Sequence, residues 1–238
     1  MKPALKVGAG IALVFMIMMA LYVARSLFVS PRLLKLREFF RDPEAHDDWT
    51  LSAGQRCADA PFVFPTDGYV GFLWGDSFRP GHSHQGIDVF GGKQPGESPV
   101  VAAYDGYLAR LAEWKSSVII RVPSDPLLPG EQIWLYYTHM ADVKGQSYIS
   151  EQFPPGSMEI FTKAGTLLGY QGNYSGDPNN PTGIHLHFSI VKDDGTGKFE
   201  NELERKNTYD PSPYLGLYLN GFKNKEDVPV CPPLEQSQ

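Results

Sequence analysis

The apolar positions along the chain follow three successive patterns. Residues 7–24 form an unbroken apolar run of 18 positions without a charge, which extends to residue 29 if Arg25 turns its head group toward an interface. From residue 31 the spacing becomes helical: Leu33, Leu36 and Phe40 fall on one face, Ser30 and Pro31 read as N-cap and first helical position, and Asp42 followed by Pro43 reads as a stop. From residue 61 onward the pattern shortens. Residues 100–103, 107–111, 118–122, 133–139 and 184–191 are short β-type segments separated by turn residues. Residues 42–60, with Asp47, Asp48, Ser52 and Gly54, are polar and aperiodic and read as a linker. The pattern predicts an all-β, antiparallel domain over 61–222, preceded by an N-terminal membrane anchor (1–29) and a juxtamembrane helix with linker (30–60), and followed by a tail (223–238).

Composition supports the β-rich reading, since 24 Gly and 20 Pro among 238 residues supply many turns while 42% hydrophobic content suffices for one well-packed domain. The formal net charge of −6 is unevenly spread. Residues 1–50 carry seven Lys/Arg against five Asp/Glu, leaving 14 basic and 22 acidic residues beyond them, a balance of −8. A domain so acidic lacks the clustered positive charge that phosphate contacts require, so a nucleic-acid partner is excluded.

The long first run exceeds the apolar core of a cleaved signal peptide, and no AxA-like cleavage site follows it, so an uncleaved anchor is expected. Its flanks conflict with export. Lys2 and Lys6 precede the run while Arg25, Arg32, Lys35, Arg37 and Arg41 follow it, which alone would hold the C-terminal side inside. Large domains translocate largely regardless of such charges, and an extracytoplasmic domain is the expectation. The basic helix would lie on anionic headgroups or pack on the domain, two readings of equal standing. Cys57 and Cys231 are the only cysteines and bracket the domain, as a bridge or as two free thiols.

Five of the six histidines, His82, His84, His139, His185 and His187, fall into three motifs. His84 and Asp88 stand four apart with Gly86 between them, in the order HxGxD. His185 and His187 alternate with Ile184, Leu186, Phe188 and Ile190, so a strand there would point both imidazoles to one face and the apolar residues to the other. His139 ends the β-patterned run 133–139. Zinc catalysis commonly uses three protein ligands and one open position. His84, Asp88 and one of His185 and His187 would complete such a set. The remaining imidazoles would serve as proton acceptor and oxyanion donor. The chain contains no HExxH, which excludes a helix-borne zinc site with a glutamate base.

With these residues in order the chain resembles the M23 peptidases, the LytM and lysostaphin-like zinc metalloendopeptidases, in its HxGxD, its downstream YxH at Tyr137 and His139, and its late HLHF at 185–188. The stretches 97–106 and 163–169 agree with the family pattern, and the resemblance spans about 61–214. It implies a compact antiparallel β domain with a surface groove and one zinc ion held by His84, Asp88 and His187. It also implies His139 and His185 as the non-ligand catalytic pair, and a peptide of bacterial peptidoglycan as substrate. The expected activity is membrane-anchored cleavage of peptidoglycan cross-links or stem peptides, with two alternatives: a non-catalytic LytM-like regulator of other wall hydrolases, and a metallopeptidase acting on a protein. Three connections, 123–132, 143–161 and 173–183, are longer than the family pattern and are expected to shape specificity. Trp74, Phe78, Tyr137 and Tyr174 read as core or rim packing in preference to groove lining, His82 as an exposed loop residue in preference to an accessory ligand, and nothing assigns His46 a role.

Overall fold

The computed structural model describes residues 16, 18, 19, 31–77, 81–224 and 228–232. Helix α1 (Pro31–Arg41) is followed by a 3-10 helix (Glu44–Trp49) and then by eleven strands: β1 (Thr50–Leu51), β2 (Gly68–Phe72), β3 (Ile87–Phe90), β4 (Pro99–Val101), β5 (Gly106–Ala109), β6 (Val118–Val122), β7 (Ile133–Thr138), β8 (Ile160–Thr162), β9 (Leu167–Tyr170), β10 (Leu186–Lys192) and β11 (Thr208–Tyr209). A one-turn helix, α2 (Ser212–Leu215), follows β11. The protein is thus mostly β, and every strand pairing is antiparallel. Most of the expected anchor lies outside the described residues, and among those described no helix is long and apolar enough to cross a membrane.

Nine strands form one sheet in the order β1-β2-β3-β10-β7-β6-β5-β8, with β11 on the end of β10 beyond β3; β4 and β9 form a separate pair. Central β10 is buried on both faces for six of its seven residues. Leu186, Phe188 and Ile190 join the main core with Ile87, Val89, Ile120, Leu135 and Tyr137, whereas Val191 on the opposite face packs in a smaller cluster with Ile119 and Trp134. His187 shares that second face by the period-two alternation of a strand. One side of the sheet therefore holds the core, and the other holds the histidines.

Two stretches differ from the sequence expectation. The 42–60 segment does not form a spacer. Trp49 packs on Tyr69 at 5.7 Å between ring centroids with His46 stacked on it at 4.0 Å, β1 extends the sheet edge beyond β2, and Leu51 and Cys57 enter the main core. Short polar loops gave no periodic signal for these contacts. In α1 the buried residues are Arg32, Leu36 and Phe39, while Phe40 is half exposed, so the inward face is rotated from the expected Leu33, Leu36 and Phe40. The rotation follows from an arginine taking an interior position that hydrophobic patterning denies it. Cys57 and Cys231 form a disulfide that fastens the chain end to the start of the domain, their Cα atoms 5.1 Å apart across 174 positions.

Candidate metal centre

Three strands in register place the site. Asp88 on β3 lies directly opposite His187 on β10, and His187 lies directly opposite Thr138 on β7, so the residue after Thr138 enters the same neighbourhood. His84 arrives from the loop before β3. Gly86 lets that loop lie against β10, because a Cβ there would stand 2.2 Å from the Phe188 carbonyl oxygen. His139 directly follows β7 with φ +73°, a conformation uncommon outside glycine. Its neighbour Met140 is buried and donates its N–H to the Ser116 carbonyl at 3.0 Å, which holds the turn.

His84 Nε2, Asp88 Oδ1 and His187 Nδ1 converge: the separations are 3.0 Å from His84 to Asp88, 3.1 Å from His84 to His187 and 2.8 Å from His187 to Asp88. All three residues are buried, and they form the one metal-capable cluster of histidine, cysteine and acid donors found among the described residues. A carboxylate oxygen and two imidazole nitrogens aimed at one point, buried and with a cavity beside them, suit zinc with an open fourth position. The outer nitrogen of His84 supports this, since Nδ1–H donates to the Leu73 carbonyl at 3.0 Å and so leaves Nε2 as the ligand atom.

His139 and His185 stand beside the donors, with ring centroids 4.6 Å apart, and His185 Nε2 lies 3.6 Å from Asp88 Oδ1. Each donates Nδ1–H to a backbone carbonyl at 2.7 Å, His139 to Tyr174 and His185 to Gly183. That bond sets the tautomer and leaves Nε2 as the unprotonated nitrogen. Burial, opposed by the Asp88 charge, lowers His185 to about 4, and burial lowers His139 as well. Both rings are neutral at neutral pH. Burial also lowers His187, whereas at His84 the opposing effects of Asp88, the Leu73 carbonyl and Asp76 outweigh burial and raise it. Burial alone would raise Asp88, yet the surrounding imidazoles hold it well below the usual carboxylate range, so it is ionised.

The donors sit between two cavities that share Gln85, His139 and His187. One, of about 370 Å³, is lined by Phe72, His82 and Thr182 beside the histidines; the other, of about 300 Å³, by Ser116, Tyr136, Tyr174 and Glu202. Together they form a groove across the site. Of the three long connections, 173–183 borders it, through Tyr174 and Thr182. The 123–132 connection instead buries Asp125, which accepts from the Tyr214 hydroxyl at 2.7 Å, and 143–161 sends Ile149 and Phe153 into the core. Tyr137 is core, donating its hydroxyl hydrogen to no site group but accepting from the Ala103 N–H at 2.8 Å, and Trp74 packs against Phe222 and Arg205. Tyr174 lines the groove, His82 sits half-buried on its rim, and Phe78 lies outside the described residues. The carbonyls of Leu73, Tyr174 and Gly183 carry no residue-type signal and were beyond sequence reasoning. Asp76, which accepts from the Leu73 N–H at 2.7 Å, had only a preceding glycine to mark it.

Fold and site together define an antiparallel β protein with a groove and a buried His-Asp-His group that could hold a metal ion. Solved structures similar to it include peptidases, among them an M23 protein. No family model and no curated protein matches the chain. The antimicrobial peptidase lysostaphin from Staphylococcus simulans is 18% identical with a TM-score of 0.38, covering 70% of this chain and 55% of that one. The catalytic domain of the same peptidase is 19% identical with a TM-score of 0.40, covering 70% of this chain and 99% of that one. A catalytic-domain mutant of the prophage-encoded M23 protein EnpA from Enterococcus faecalis is 21% identical with a TM-score of 0.37, covering 63% and 94%. The chain thus spans little more than half of the longer lysostaphin structure.

Proposed function

We propose that this protein is an M23-type zinc metalloendopeptidase that hydrolyses peptide bonds in peptidoglycan cross-links or stem peptides. The observation that carries the reading is the convergence of His84, Asp88 and His187, within 3.1 Å of one another, beside two tautomer-fixed imidazoles in a groove. His84 Nε2, Asp88 Oδ1 and His187 Nδ1 would hold one zinc ion. A zinc ion held there would supply a Lewis acid for a scissile carbonyl and would lower the pKa of a water to about 7. His139 and His185 act through Nε2. One would accept the proton released as water attacks and, so charged, donate to the oxygen that gains charge before passing the proton to the leaving amine; the other, neutral, would accept a hydrogen bond from the same water and orient it. The carbonyls of Tyr174 and Gly183 hold both rings in the tautomer that this requires. The two cavities flanking the donors receive the peptide on either side of the cut bond, and the 173–183 connection selects it.

Retention of all five residues favours an enzyme over a non-catalytic regulator. The Cys57–Cys231 bridge favours an oxidising compartment, which fits a domain outside the cytoplasm tethered by residues 7–24. The test is direct. Full-length protein in detergent should bind one zinc per chain and release chelator-sensitive fragments from cross-linked peptidoglycan. Cleavage by His187→Ala at the parental rate would refute the assignment, and protection of the domain from added protease in intact cells would refute the placement.

A further inference from the structure

Helix α1 covers the same face of the sheet as the donor cluster, since Phe90, against which it packs, alternates with Asp88 along β3. Its seat is shaped for it. A Cβ on Gly71 would meet Leu36 Cδ1 at 2.9 Å, Phe39 lies 5.3 Å from Tyr69, and Phe40 meets Phe90 edge-on at 5.3 Å. Hydrophobic docking of that kind needs no charge, yet Arg32 is buried to 3% exposure at the inner end of the helix. Removing a guanidinium from water costs several kcal/mol, so its partners require explanation.

Those partners lead to the metal centre. Arg32 donates from Nη2 to the Asn224 carbonyl at 2.9 Å, and its Nε lies 3.3 Å from Asp76 Oδ2. The same Asp76 oxygen accepts from the Leu73 N–H at 2.7 Å, and the Asp76 N–H closes the turn onto the Leu73 carbonyl at 3.1 Å. This turn grips His84 three times. The Leu73 carbonyl accepts from Nδ1–H at 3.0 Å, the Asp76 carbonyl accepts from the His84 N–H at 2.8 Å, and the Gly75 N–H donates to the His84 carbonyl at 2.8 Å.

We infer that Arg32 is a positioning residue for the metal centre: through Asp76 it fixes the Leu73–Asp76 turn, and the turn holds His84 with Nε2 aimed at the zinc position. This rests on the zinc reading above. It makes the stem helix part of the site's support, so the peptidase domain is not independent of the segment that leads to its expected anchor.

The experiment is a double-mutant cycle on the full-length protein in detergent, with Arg32→Met, Asp76→Ala and the double variant. Zinc Kd is read by competition with a chromogenic chelator. Each single substitution should weaken zinc binding about 10- to 100-fold, the range for groups that orient a ligand, and the double variant should be no weaker than the worse single one. A purely structural role would lower the unfolding temperature of the zinc-free protein with parental Kd, and that result, or additive losses in the double variant, overturns the inference. If Arg32→Met does not fold, Asp76→Ala decides, with parental Kd overturning it. A second readout needs no metal. In zinc-free protein at alkaline pH the nitrogen-15 spectrum of the His84 ring should show the Nδ1–H tautomer, and a tautomer mixture in both single variants; unchanged spectra in both overturn the inference. The parental zinc titration reports on the proposed function separately.

Discussion

Gly86 offers the sharpest single test of how the fold builds the centre. Replacing it with alanine adds a Cβ at 2.2 Å from the Phe188 carbonyl oxygen and 2.9 Å from both Phe188 C and Ser189 Cβ, where ordinary contact begins at 3.4 Å. The obstacle is backbone of the central strand, so the 84–88 segment must retreat from β10 by about 1 Å, the shortfall in that contact. Asp88 and His187 are register partners across that same boundary, with donor atoms 2.8 Å apart. Metal ligation tolerates about 0.2 Å in ligand distance, so a displacement of this size cannot be absorbed at the site. The expected cost is about 1–3 kcal/mol in stability from overpacking and at least about 100-fold in activity from misplacement. Thermal unfolding of the zinc-free protein, zinc competition titration and peptidoglycan cleavage read the three effects. Parental zinc affinity in a folded Gly86→Ala protein would refute the claim that close packing of this glycine on β10 sets the ligand geometry.

The catalytic division predicts that His139→Ala and His185→Ala each retain one zinc per chain by metal analysis yet lose about 10²- to 10⁴-fold in kcat; loss of the metal in either would move that residue into the ligand set. Asp88→Asn, by contrast, should lose the metal itself, because the one charged donor is gone. Reduction or Cys57→Ser/Cys231→Ser releases a closed loop of 174 positions, which in the chain-entropy model removes about 5 kcal/mol; thermal melts with and without reductant should differ clearly, and coincident melts would show that the bridge constrains little. Tyr214→Phe deprives the fully buried Asp125 of a donor at 2.7 Å and should cost about 1–3 kcal/mol by urea unfolding, with cleavage kinetics unchanged.

The site residues were legible in the chain because each belongs to a local pattern. Alternation alone put His185 and His187 opposite Leu186, Phe188 and Ile190, and the structure has those apolar residues in the main core. The strand at 118–122 and the helix at 31–41 likewise appear where periodicity and stop signals set them. Local pattern could not rank His185 against His187 as the converging donor. That depends on which residue falls opposite Asp88, a matter of register between strands about a hundred positions apart. Nor could it reach the carbonyls that orient His84, His139 and His185, since every residue has one and only packing chooses among them.

The inward turn of α1 shows the same division from the other side. Hydrophobic spacing favours Leu33, Leu36 and Phe40, and an arginine is ordinarily outside; Arg32 is inside because Asp76 and the Asn224 carbonyl, 44 and 192 positions away, meet it there. What the sequence determined by itself was the class of fold and the chemistry on offer, because strand period, turn residues and donor types are local properties of the chain. Tertiary structure decided which donors converge, which nitrogen of each imidazole faces the site, and that the stem helix buttresses it, because those follow from long-range register and from the requirement that buried polar groups find partners.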